Sequence, residues 1–232
     1  MNGPRFHSDR PGDLRRSTPW HRLSYIVRAL PQGLGALVPD LHATDTTRIL
    51  DYGSADAPYR DFFAPTADFV TADLPGNPDA TLVLASDGTV PAPDASFDVV
   101  LSTQVLEHVT DPGLYLAECH RVLKPGGRLL LSTHGLMVYH PDPVDFWRWT
   151  CAGLQRAVTD AGFRITRFEG IMGLAATGIQ LFQDAFYFRL PRRLRAPFAL
   201  VLQTAIAAVE RVQGPDDRRL NALVFALVAV KP

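Results

Sequence analysis

The stretch RILDYGSADAPYRDFF (48–63) places an acid, Asp51, at the end of an apolar run and follows it with very small side chains. Gly53, Ala55 and Ala57 take alternate positions, so a ligand can come close to the backbone there. Asp51 and Asp56 flank the turn, which repels a pyrophosphate and suits an ammonium group; the pattern G-x-G-x-x-G is absent. Asp73, 22 residues beyond Asp51, ends a second apolar run, where a carboxylate can accept from both hydroxyls of a ribose. Asp87, in ASDG, ends a third run and can face an adenine amino group. Each acid taken alone is equally well a turn-former or helix cap. Together they fit a zwitterionic, nucleoside-bearing ligand better than NAD. A second concentration of chemistry is STHGLMVYHPDPVDFWRWT (132–150), with two histidines, two acids, an arginine and two tryptophans. His140 and then His134 are the candidates for a general base, because imidazole titrates near neutral pH. Asp145 can orient an imidazole or bind hydroxyls, while Tyr139, Trp147, Arg148 and Trp149 can contact an acceptor, the tryptophans by stacking. The bland reading pairs Asp145 with Arg148 and packs the tryptophans into the core. His140, Asp142 and Asp145 offer hard ligands to Mg2+, but nothing in their spacing demands a metal.

These residues need elements to hold them. TRILDYG, ADFVTADLPG, ATLVLASDG, SFDVVLSTQ, GRLLLSTHG, FRITRFEG and NALVFALVAV read as seven strands. Helical spacing fills the stretch from Thr18 to Leu30, PYRDFFAP, DPGLYLAECHRVL with Pro112 in its first turn, and TCAGLQRAVTDAGF with Thr150 as N-cap. Such alternation predicts an α/β fold: a doubly wound, Rossmann-like sheet with an antiparallel last strand. Ligands then bind beyond the carboxyl ends of the strands, where Asp51, Asp73 and Asp87 lie. About forty residues separate the sixth strand from the last, with two helix-like pieces split around Pro191 and a basic knot of Arg189, Arg192, Arg193 and Arg195. The organisation expected is an arm and helix (1–45), a ligand-binding domain (46–176 and 214–232) and a helical insertion (177–213). That insertion is expected to be a cap or lid, a homodimer surface, or a peripheral contact with an anionic membrane.

The 232 residues suffice for one full core, and 47% apolar against 20% charged residues describes an ordinary soluble protein. A net charge of −1 offers no footprint for nucleic acid. Cys119 and Cys151 have neither disulfide nor metal spacing, which suits a reducing cytoplasm. The arm is polar and Arg-rich, unlike a secretory signal, and no apolar run is long enough to span a membrane.

LDYGSADAPYRDFF, VTADLP, SDGTVPAPDASFDVVLSTQVLEHV, RVLKPGGRLLLST and HPDPVDFWRWT follow the order and spacing of another group. Over residues 46–170, and again at 221–231, the chain resembles the class I S-adenosylmethionine-dependent methyltransferases of type 11. The resemblance implies that Asp51 to Ala57 cradles the methionine end of S-adenosylmethionine. It implies that Asp73 and Leu74 hold the ribose, that Asp87 and Gly88 read the adenine, and that Thr103 and Gln104 close over the cofactor, with S-adenosylhomocysteine as product. One departure is clear: the family carries glycines where this chain has Ala55 and Ala57. Similar proteins carry a His-Pro…Asp-Phe/Tyr-Trp/Tyr-Arg segment here and many of them act on sugars or glycolipids, so the resemblance implies as acceptor a hydroxyl of a saccharide, glycolipid or other small molecule. An O-, C- or N-methyltransferase of a secondary metabolite, and a non-catalytic fold member that binds a partner through the insertion, are the alternatives. A NAD-linked oxidoreductase is opposed by the missing glycine pattern.

Overall fold

The computed structural model describes residues 18–141 and 144–232; the N-terminal arm up to residue 17 and Asp142, one of the candidate cation ligands, lie outside these. Seven strands form one sheet: β1 (Arg48–Tyr52), β2 (Asp68–Asp73), β3 (Leu82–Val83), β4 (Phe97–Thr103), β5 (Leu123–His134), β6 (Arg164–Gly173) and β7 (Ala222–Val230). Their order is β3-β2-β1-β4-β5-β7-β6. The first five run parallel, while β7 inserts antiparallel between β5 and β6. All nine residues of β7 are buried, the burial expected of a strand covered on both faces. The α/β fold with an antiparallel last strand is therefore as expected.

Alternation along each strand divides the core into two layers. Leu50, Val100, Leu129, Leu131 and Leu227 face α2 (Pro112–Val122) and α3 (Cys151–Asp160), packing on Leu116, Cys119, Leu154 and Val158. Ile49, Val99, Leu101, Leu130 and Val228 face the other way, onto Ile26 and Leu34 of α1 (Ser24–Gly35), Ala176 of α4 (Leu174–Tyr187) and Ile206 of α5 (Arg192–Val212). The segment between β6 and β7, which ends with the short α6 (Pro215–Leu220), thus covers one face of the sheet together with the N-terminal helix.

Several local expectations hold for their stated reasons. Thr150 caps α3 by accepting from the Gly153 N–H, and Asp111 does the same for α2 from Leu114. Pro191 stands at the N-cap of α5, dividing the two insertion helices. Two expectations are corrected. The first helix covers Ser24–Gly35 rather than the stretch from Thr18, and continues through Pro31. The segment PYRDFFAP forms only a 3-10 turn, Arg60–Phe62. Pro58 and Pro65 bracket it too closely for an α-helix, and the Arg60 guanidinium ties the exit by donating to the carbonyls of Ala64 and Pro65.

Candidate active site

The carboxyl ends of β1, β2 and β4 open into a cavity of about 1490 Å³. That exceeds the space one drug-sized ligand needs, so two ligands fit side by side. One part of its lining is the turn after β1. Gly53 has φ +80°, and a Cβ there would come within 2.6 Å of Val105 Cγ2. Ala55 and Ala57 take the same left-handed backbone, φ 46° and 50°, which explains why glycine suits these positions. Gly53 and Ser54 donate to the Ala72 carbonyl, and Ala55 donates to Asp73 Oδ2 at 3.0 Å. Asn77 Nδ2 bridges Asp73 Oδ2 and the Ala55 carbonyl, 2.7 Å from each, so the turn and the end of β2 form one rigid cradle.

Asp51 lies beneath that cradle, 1% exposed, and its Oδ2 has no hydrogen-bond partner; neither does the buried Ser54 Oγ. Burial, with Asp73 and Asp56 nearby, pushes the Asp51 carboxyl up to about 7. An unpaired buried acceptor is costly unless a donor reaches it, and an ammonium group supplies one. Asp73 and Leu74 line the cavity, and Asp73 Oδ1 accepts the Leu74 N–H at 2.8 Å. Asp87 and Gly88 line it too. Asp87 accepts from the Thr89 N–H, which with its own hydroxyl contact holds the carboxyl below the usual range. Thr103 and Gln104 complete this part, Gln104 at φ 58° with Nε2 donating to Ser132 Oγ.

Another part of the cavity lining is histidine-rich. The rings of His108, His134 and His140 form a triangle with centroids 5.9 to 6.5 Å apart, and all three line the cavity with Tyr139. No group of three or more metal-ligating side chains is placed to hold an ion among the described residues. Behind His134 stands Glu107, fully buried and outside the sequence expectations. Its Oε2 accepts from Thr133 Oγ1 at 2.8 Å, and its Oε1 lies 3.3 Å from His134 Nε2 without hydrogen-bond geometry. Burial favours the neutral form of each, pushing the carboxyl up to about 7 and the imidazole down to about 3. The motif VLEHV was the one sequence signal for Glu107, since a carboxylate inside an apolar run must find a purpose or a partner.

The aromatic loop is arranged differently from the acceptor-stacking expectation. Arg148 donates to the carbonyls of Met137 (2.7 Å), Val138 and Trp147, and forks onto both oxygens of Asp145. Asp145 in turn accepts the backbone N–H of His140 at 2.6 Å. Burial raises the Asp145 carboxyl, but these partners outweigh it and hold it low. Asp145 therefore positions His140 through its backbone rather than its ring. Trp147 Nε1 donates to the Val109 carbonyl, and Trp149 packs against the core under α3. Asp51, Ala57, Asp145, Trp147, Arg148 and Trp149 do not line the cavity, Trp147 being exposed to solvent, while the other expected site residues form its surface. Its apolar wall comes from two elements that sequence reasoning left outside the site: Leu23, Ile26, Val27 and Leu30 on or beside α1, and Leu181 on α4 with the following Phe188.

The family profile of the type-11 methyltransferase domain matches residues 48–131. A "Probable S-adenosylmethionine-dependent methyltransferase" of Mycobacterium tuberculosis is 34% identical over 174 residues, 67% of this chain and 62% of that protein. A similarly named protein of Mycolicibacterium smegmatis is 36% identical over 88 residues, 35% of this chain and 34% of its own. The matched region thus spans about three-fifths of the first of these relatives and about a third of the second. In fold it is similar to an S-adenosylmethionine-dependent methyltransferase from Aquifex aeolicus, TM-score 0.54 at 13% identity, covering 96% of this chain and 99% of that one. Residues 48–131 belong to the type-11 methyltransferase domain family, and the chain is similar to an S-adenosylmethionine-dependent methyltransferase over 67% of its own length.

Proposed function

We propose that this protein methylates a hydroxyl of an acceptor that carries an apolar portion, such as a glycolipid, with S-adenosylmethionine as donor. The observation that carries the reading is the cavity lining. A small-residue turn with an orphaned acid buried beneath it forms one part of the lining, a histidine cluster another, and apolar side chains much of the rest. When bound, S-adenosylmethionine supplies a methyl group already activated on a sulfonium. Asp51 and Ser54 are the residues to answer its ammonium, Asp73 its ribose hydroxyls and Asp87 its adenine; Gly53, Ala55, Ala57, Leu74, Gly88, Thr103 and Gln104 shape the surface around it. His140 is the group to take the acceptor proton. Its competitor His134 is too weak a base at neutral pH, its imidazole being held down to about 3. Asp145 and Arg148 then act as positioning residues for His140. The acceptor wall contains α1 and α4 side chains where the tryptophans were expected, which favours an acceptor with a substantial apolar surface over a bare sugar.

The test is calorimetric titration with S-adenosylmethionine and S-adenosylhomocysteine beside NAD. Binding of the first two alone is expected, and Asp73→Ala is expected to abolish it while the variant still unfolds cooperatively. Unchanged affinity in a folded Asp73→Ala protein removes the ribose assignment, and NAD binding overturns the donor. His140→Ala is expected to retain cofactor binding and lose about 10²-fold or more in turnover; full turnover overturns its role as base.

A further inference from the structure

The hairpin of α4 and α5 ends in a tip with an unusual composition. From 185 to 209 the chain contains four arginines and no aspartate or glutamate, although the whole protein carries a net charge of −1. Arg192 and Arg193 open α5 and are exposed, with no acid in that first turn to offset them. Their charge has the same sign as the helix N-terminal dipole, so in water the arrangement is unfavourable, and an anionic surface relieves it. Among these cations stand apolar side chains in solvent. Phe186, Phe188 and Leu194 are 43%, 50% and 45% exposed. Arg189 lies 6.0 Å from the Phe186 ring, and Phe188 lies between Arg22 and Arg195 at 5.4 and 5.6 Å. Arginines that surround protruding aromatic rings make a surface with both an electrostatic and an apolar affinity. Phe188 is also part of the cavity wall, so the tip adjoins the cavity. No helix among the described residues is long and apolar enough to cross a membrane.

We propose that the tip around Phe186, Phe188, Arg189, Arg192, Arg193 and Leu194 docks on the surface of an anionic phospholipid bilayer. The cations then face the headgroups, the aromatic rings enter the acyl boundary, and the adjoining cavity lies at the membrane surface. The proposal goes beyond methyl transfer and stands or falls separately from it.

Co-sedimentation of the full chain with phosphatidylcholine vesicles, with and without phosphatidylglycerol, tests it. Binding is expected only to the vesicles that contain phosphatidylglycerol, falling about tenfold or more in high salt and in Arg192→Glu/Arg193→Glu. That double variant is expected to keep its thermal transition and its calorimetric affinity for S-adenosylmethionine. The salt series on the unaltered protein decides the matter even where the variant does not fold. Equal binding to both vesicle types, binding to neither, or binding insensitive to salt overturns the proposal. So does a wild-type dimer that Arg192→Glu/Arg193→Glu converts to monomer, because a second copy then covers this face.

Discussion

At the scale of single residues, the chemistry depends on which polar atoms are left unpaired. Asp51 Oδ2 and Ser54 Oγ lack partners at the small-residue turn, and Glu107 Oε1 and His134 Nδ1 lack them at the histidine cluster. Together they are four of the six such buried side-chain atoms among the described residues, so the cost of desolvation is concentrated where ligands are expected. Asp51 gives a sharp consequence. Burial raises its carboxyl to about 7, so near neutral pH it is partly protonated without ligand. An arriving ammonium favours the carboxylate and expels that proton. Affinity for S-adenosylmethionine should therefore rise as pH increases through about 7, with release of a fraction of a proton approaching one. Calorimetry in two buffers of different ionisation heat measures the release, and Asp51→Asn should abolish it. The alanines at 55 and 57 act at the same scale. Each holds a left-handed conformation that costs an L-residue about 1 kcal/mol relative to glycine. Ala55→Gly should accordingly stabilise the protein by up to about 1 kcal/mol in urea denaturation, and a loss of stability would show that the methyl group packs usefully.

At the scale of elements, the notable feature is how the helices beside the cavity are tied together. Gln180, Gln183 and Gln203 are all buried, and their side-chain amides converge on the Arg22 carbonyl at 3.2, 2.6 and 2.8 Å. Gln203 Oε1 accepts from the Tyr25 N–H at 2.8 Å, which satisfies a free donor at the start of α1. Arg22 adds an ion pair to Asp184 at 3.1 Å. This amide cluster fixes α1 against both insertion helices, and so fixes the apolar wall of the cavity that they share. Gln203→Ala strands several buried donors and acceptors at once. It should cost about 2–3 kcal/mol of stability, read from denaturant unfolding. A change below about 0.5 kcal/mol would mean that the hairpin is held by apolar packing alone.

For the whole molecule, the buried Glu107 and His134 give stability an opposed pH dependence. The Glu107 carboxyl is raised by burial to about 7 from the ordinary 4.5, so the folded state holds its proton more tightly than the unfolded chain does. Its contribution is full below about 4.5 and is lost as pH rises through about 7. The His134 imidazole is lowered to about 3, so its contribution is full above the ordinary 6.5 and is lost as pH falls from there. Glu107→Gln keeps an oxygen for the Thr133 hydroxyl while removing the ionisation. At pH 8 it should be more stable than the wild type by about 1–3 kcal/mol, an advantage that shrinks toward pH 5. Thermal melts across that range test the sign. A constant difference would show that Glu107 does not ionise within it.

Much of this architecture was legible in the sequence because it rests on local rules. Apolar runs broken by turn residues marked the strands, the Thr150 cap marked the start of α3, and Pro191 marked the division between the insertion helices. Acids and small residues at strand ends marked one half of the cavity, because the chain there is close in sequence to its own turn chemistry. The tertiary structure alone decided the other half. It set α1 and the insertion against the same face of the sheet, brought Glu107 beneath His134, and turned Asp145 toward Arg148 and the His140 backbone, leaving the tryptophans outside the cavity lining. Local periodicity gives an element its type and its apolar face. Which distant element that face meets, and which buried charge finds a partner, is settled only when the layers pack.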